Sequence, residues 1–288
     1  MMNAKASNIL GRSLLYIALV AVALFFAGPM IWMLITAMKT EAQAADPATG
    51  VLPPEIARVP SVVASNAREV WTDPSVTIPV YLRNTLIIAV LSVVGMTLSS
   101  AVVAYGFARI EFKGRGAMFT ILLATMMIPF PVVMGPLFVL FKSLGWIGTL
   151  KPLWVPAFFA GAFNVFLLRQ FMLGIPKELD EAARLDGCGH WGVFRHVILP
   201  MTRPALATVA LFHFIFVWND FLGPLIFLPH RDQFTLALGL QLYQSKAGYA
   251  PWNLLMMASV ITVLPVILVF VAARRVFMAE SSGDGVKE

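Results

Sequence analysis

IPKELDEAARLDGCGHWGVFRHVILPMTRP, Ile175 to Pro204, lies between two long apolar runs and is dense in charge where they have almost none. Pro176 suits the first turn of a helix, where its missing N–H costs nothing. Leu179, Ala182 and Ala183 then fall on one helical face at i, i+3, i+4 spacing, with Lys177, Glu178, Glu181 and Arg184 filling the rest. Gly187 and Gly189 stop this helix, since glycine accepts the positive φ of a helix end. A second short amphipathic helix follows, with Trp191, Phe194 and Ile198 on one side, and Pro200 ends it. Thr202 and Pro204 have the character of the cap and first turn of the next helix. The stretch reads as helix, glycine turn, helix, with a stripe of small residues that lets a partner backbone come close. A helix lying on lipid needs a large apolar face with Trp, Phe or Leu. The first helix offers mainly alanines, which favours docking to protein.

On either side, the chain is apolar at the length a bilayer demands, roughly 20 residues per spanning helix. The expected spans are 14–38, 84–108, 117–141, 152–170, 204–228 and 252–273. The fourth is short, and Arg169 at its end reaches the interface by snorkelling. Pro129, Pro131 and Pro136 interrupt the third, marking either a broken, pore-lining helix or a packing irregularity. The first run begins with Lys5 and Arg12 like a signal peptide, but its apolar stretch exceeds an h-region of roughly 7–15 residues. It reads as a retained helix.

Composition agrees. Of 288 residues, 59% are hydrophobic and 12% charged, with mean hydropathy +0.82; a soluble domain averages roughly 25% charged residues. The fold class is therefore an all-α membrane protein of six transmembrane helices. It comprises an N-terminal segment 1–13, a membrane domain 14–277 containing the loop 174–203, and a tail 278–288.

The net charge of +6 and pI near 9.7 do not point to nucleic acid. The basic residues stand singly or in pairs at the ends of apolar runs, where they set membrane orientation. With the N-terminus in the cytoplasm, 13 lysines and arginines fall inside and 8 outside. Arg109, Lys113 and Arg115 crowd one short inner loop, which weighs most. Both termini and the 175–204 stretch are then cytoplasmic, and the Pro-rich segment 39–83 faces outward. The single cysteine, Cys188, reads as an inert small residue. There is no P-loop, so ATP is not expected on this chain. No HExxH, nucleophile elbow or paired intramembrane carboxylates suggest an enzyme. A self-contained secondary transporter commonly shows paired repeats and intramembrane charges; here there is no convincing repeat, and only Asp220 as an acid within a run.

Glu181-Ala182-Ala183, Gly187 four positions on, and Val197-Ile198-Leu199-Pro200 nine residues later resemble the EAA signature of ABC importer permeases, with Val197 in place of its isoleucine. Asn84-Thr85-Leu86, Ala104 to Arg109, Met127-Ile128-Pro129, Phe166 to Phe171 and Trp218-Asn219-Asp220-Phe221 resemble its carbohydrate-uptake branch, and the second membrane subunit of maltose-type importers in particular. The similarity runs from about residue 10 to residue 277. Gly285-Val286-Lys287 departs from the family's Gly-Ala-Val-Lys-Gly ending.

The resemblance implies a non-catalytic permease that works with a second, homologous permease, two ATPase subunits holding ATP and Mg, and an external solute-binding protein. It implies that the loop is a coupling helix docked in an ATPase cleft. Glu181 would pair with a basic group and Ala182 and Ala183 would let the helix sit deep. Asp186 would add a polar contact and Gly187 would permit the turn, with Leu199 and Pro200 closing the motif. The expected cargo is a di- or oligosaccharide, with a polyol or glycerol-phosphate-type solute as the alternative.

Polar residues inside spans are the candidates for the solute path, because a central Asp costs roughly 2.5–3.5 kcal/mol. Asp220 falls about 24 Å along the fifth span from Pro204. Asp220 and Asn219 read equally as pore residues and as interhelical glue. Asn164, expected mid-span in the fourth helix, leans toward glue, and His213 toward a structural role. Trp218 either stacks on a sugar ring or anchors at the interface.

Overall fold

The computed structural model describes residues 2–244 and 251–281, with side chains over 12–244 and 251–274. Lys246, Lys287 and the Gly285-Val286-Lys287 tail lie outside the described residues. Among those described, the secondary structure is helical throughout. The helices are α1 (Met2–Ala37), α2 (Val59–Thr72), α3 (Ile78–Arg109), α4 (Arg115–Thr125), α5 (Phe130–Ser143), α6 (Ala162–Leu173), α7 (Glu178–Leu185), α8 (His190–Met201), α9 (Arg203–Trp218), α10 (Leu222–Phe227), α11 (Leu236–Gln244) and α12 (Trp252–Ser281). Shorter turns occupy Glu41–Ala45, Ile56–Arg58, Lys151–Trp154, Val155–Phe159 and Arg231–Gln233. Among the described residues, four helices or helical stretches are long and apolar enough to cross a bilayer, and six are reached when each of two bent pairs is one span.

The chain forms two compact units, Met1–Val76 with Leu240–Val263, and Thr77–Gly239 with Leu264–Glu288. In the first, α1 exposes Leu14, Phe25, Phe26 and Trp32, as a helix in lipid does. The Pro-rich segment after it is tied down by the buried Asn66 on α2. Its Nδ2 donates to the carbonyls of Ala37 and Lys39, both at 2.9 Å, and its Oδ1 accepts from Asn253 Nδ2 at 3.2 Å. Lys39 Nζ donates to Gly50 O at 2.7 Å. The two Asn66 donations satisfy carbonyls left open where α1 ends.

The second unit is organised around α3, against which α6, α9 and the Lys151–Phe159 segment pack. Small residues make this approach possible: Ala101, Ala104 and Ala108 on α3 are buried with Val165, Leu168 and Met172 of α6. The helix opens at Ile78 rather than Asn84, because Pro79 suits its first turn. Asn84 thus lies inside it and donates to the carbonyls of Asp232 and Phe234 at 3.0 and 3.1 Å.

Three expected spans are broken, the third span where its prolines were expected to interrupt it. The third bends by 96° between α4 and α5, at Met126–Pro129, where Pro129 and Pro131 remove the amides that would continue the ladder. Pro136 sits inside α5 without ending it. The fourth runs from Lys151 to Leu173 and is interrupted at Ala160, whose φ is 61°. Serines of α3 satisfy the freed groups there. Ser99 Oγ accepts from Ala160 N and donates to Ala157 O, while Ser100 Oγ accepts from Gly161 N. The fifth stops at Trp218, short of the 228 expected, and resumes in α10 after Asn219–Phe221. The last helix continues past 273 to Ser281.

Candidate functional site

The 175–204 stretch folds as two helices about a glycine turn. The first helix, α7, ends in a Schellman motif: Gly187 at φ +88° donates to Arg184 O at 3.0 Å, and Cys188 N donates to Ala183 O at 2.9 Å. Cys188 packs at the edge of the core. The second helix passes through a π turn at Phe194–Ile198 and runs on to Met201. Pro200 therefore does not end it; it occupies the first turn of Leu199–Met201. Thr202 stands at the N-cap of α9 with Pro204 in its first turn, as expected, but its side chain caps no amide. Its Oγ1 donates back to Ile198 O at 2.6 Å, and the chain bends there by 74° into α9.

Packing splits the alanine stripe. Ala183 turns toward the core with Leu199, while Ala182 faces out beside Glu178, Glu181 and Leu185. Leu185 is 90% exposed, although it is a large apolar side chain on a charged helix. Asp186 and Gly187 are exposed at the turn, and Pro200 is half-buried. On α8, Phe194 and Ile198 are buried, whereas Trp191, expected on the same face, is exposed and only leans on Phe194. Tyr105 of α3 holds the loop down: its hydroxyl donates to His190 O at 3.0 Å and its ring lies 5.0 Å from that of Phe194.

Behind α7 stands an ion pair that spacing alone did not single out. Asp180 is 5% exposed, and Arg109 Nε lies 3.7 Å from its Oδ2. Arg109 Nη2 also donates to the carbonyls of Met172 and Ile175, both at 2.7 Å. The available signal was an arginine closing an apolar helix and an aspartate one residue ahead of Glu181.

A cavity of about 710 Å³ opens in the same unit, between α3, α5, the Lys151–Phe159 segment and the break after α9. Asn219 and Asp220 line it. Asp220 is not carried mid-helix, because α9 has already ended. Its Oδ1 accepts from Gly223 N at 3.1 Å, and a Cβ on Gly223 would meet its Oδ2 at 2.5 Å. Asn219 folds back, with Nδ2 donating to Ile215 O at 2.8 Å.

Ser92 Oγ and His213 Nε2 share a hydrogen bond of 2.7 Å on the wall. The buried Thr235 Oγ1 also faces the cavity, with no hydrogen-bond partner among the described residues. Thr235 sits in a segment without helical periodicity, so no pattern marked it. Trp218 and Asn164 do not line the cavity. Trp218 is buried against Phe214 rather than placed as an exposed anchor. Asn164 lies mid-span in Lys151–Leu173, as expected, in the first turn of α6 just after the break and beside Gly161.

Residues 97–279 match the family described as binding-protein-dependent transport system inner membrane component. The arabinooligosaccharides transport system permease protein AraQ of Halalkalibacterium halodurans is 38% identical over 207 residues, 72% of this chain and 74% of that protein. The trehalose/maltose transport system permease protein MalG of Thermococcus litoralis is 31% identical over 281 residues, covering 97% and 98%. A bacterial ABC transporter involved in the import of the acidic polysaccharide alginate shares the fold with a TM-score of 0.79 at 23% identity, over 93% of this chain and 97% of that one. With an all-helical architecture, apolar spans and this match over more than half its length, the chain belongs to the binding-protein-dependent transport system inner membrane component family, as a multi-pass membrane permease.

Proposed function

We propose that this chain is one half of the translocation pore of an ABC importer for a di- or oligosaccharide. The observation that carries the reading is the built face of α7. Glu178, Glu181, Ala182 and Leu185 point away from a loop that the Schellman turn and Tyr105 hold rigid, an arrangement suited to seating in a partner's cleft. The partner is a cytoplasmic ATPase subunit, with Asp186 and Gly187 at the rim and Leu199 and Pro200 on the supporting side. ATP and Mg bind there, and this chain performs no chemistry of its own. A second homologous permease, a second ATPase subunit and an external solute-binding protein complete the assembly, and both termini of this chain face the cytoplasm.

Relatives named for arabinooligosaccharides and for trehalose/maltose support a sugar as cargo. The cavity beside Asn219 and Asp220 is this subunit's share of the path. Its largely apolar wall suits the C–H face of a sugar ring, and its few polar groups suit hydroxyls. Trp218 and Asn164 act through packing rather than contact.

The test is extraction in mild detergent followed by identification of what copurifies, then uptake in liposomes. A second permease and a P-loop ATPase, with ATP-driven uptake of an oligosaccharide, support the reading. A chain that purifies alone and moves solute without ATP overturns it, and uptake of a polyol or glycerol-phosphate in preference to sugars overturns the cargo.

A further inference from the structure

We infer that Arg109 and Asp180 are positioning residues for transport: their buried pair is the rigid link that carries displacement of α7 into the span α3. The inference rests on the docking reading of α7 and concerns what happens behind the docked face. At about 100° per residue, Asp180 lies some 160° around the helix from Ala182 and about 140° from Leu185. A push on the outer face is therefore delivered at Asp180.

Arg109 receives it, being the last residue of α3. Its guanidinium is planar, with donors in a fixed fork. Nη2 is already committed to the carbonyls of Met172 and Ile175, where α6 ends. The side chain therefore pins the end of α3, the end of α6 and the first turn of α7 at one point. The cation meets the carbonyl end of α6 and the carboxylate sits at the amide end of α7, as the helix dipoles favour. A second tie, from Arg169 Nε to Phe107 O at 3.2 Å, keeps α6 and α3 moving together.

The link also has a direction. At 3.7 Å the pair falls short of a charge-assisted hydrogen bond, and Arg109 Nε and Asp180 Oδ1 have no hydrogen-bond partner among the described residues. Movement of α7 toward α3 by about 1 Å makes that bond. Making that bond gives a second packing that differs from this one by one buried contact, the kind of bistable element a docking event can bias.

The experiment uses the whole complex in liposomes, with its ATPase, second permease and binding protein. Asp180→Asn keeps the shape and removes the charge. Arg109→Lys keeps the charge but loses the fork. Each variant retains the ATPase as firmly as the parent and still hydrolyses ATP, while solute carried per ATP falls about tenfold. Asp180→Glu restores the ratio. An unchanged ratio in Asp180→Asn with the ATPase retained overturns the link. So does parallel loss of retention, hydrolysis and uptake in all three variants, which is the signature of a pair that only holds the fold. Failure of the docking reading looks different: the parent chain itself retains no ATPase.

Discussion

Gly187 offers the cleanest test of the loop, because its two substitutions separate strain from contact. The residue sits at φ +88°, and a Cβ built on it meets nothing within 4 Å. Gly187→Ala therefore adds no clash, and its cost is the left-handed conformation alone, about 1–2 kcal/mol. Gly187→Pro is worse on two counts. Its ring fixes φ near −65°, and it removes the N–H that bonds Arg184 O at 3.0 Å. Its cost is about 3 kcal/mol or more.

Neither change touches a span, so the amount of chain inserted in the membrane stays constant. The strain should appear as weaker docking. At tenfold per 1.4 kcal/mol, the ATPase binds about five- to thirtyfold more weakly to Gly187→Ala and more than about a hundredfold more weakly to Gly187→Pro. Titrating purified ATPase against the permease pair in nanodiscs measures both. Parent-like affinity in Gly187→Pro, or a larger loss in Gly187→Ala than in Gly187→Pro, would refute the claim that the Schellman turn presents the docking face.

Glu181→Lys and Leu185→Asp change exposed side chains, so the melting temperature of the purified chain should hold while ATPase retention drops by tenfold or more, about 1.4 kcal/mol or above; melting that falls in step with retention would place these residues in the core instead. Asn66→Leu strips the buried carbonyls of Ala37 and Lys39 of a donor and should cost about 2–3 kcal/mol, read as a lower melting temperature in detergent. Gly239→Ala would drive a methyl into the ring of the fully buried Tyr81, and should cost about 1–3 kcal/mol by the same measurement.

The apolar runs and the EAA spacing were legible because each is set by local physics. A bilayer demands some 20 apolar residues whatever packs beside them, and a glycine at a helix end announces a positive φ. What local pattern could not supply was the direction each face turns. Ala182 and Ala183 are neighbours with one character, and only packing against α3 and α6 sends one outward and the other in. Trp191 and Trp218 changed places, the first emerging as exposed and the second as buried, which spacing along a single helix does not decide. Asp220 escaped its helix because α9 stops at Trp218; Pro224, which can neither bond to nor pack past Asp220 O in a continuous helix, is the local sign of that break. Asp180 was one charge among several until the fold set Arg109 against it across 71 residues of chain. The sequence by itself determined the solvent, the helices and the motif, since hydropathy and backbone preference act over a few residues. The tertiary structure alone decided which side chains meet, since burial and ion pairing depend on segments that are remote along the chain and adjacent in space.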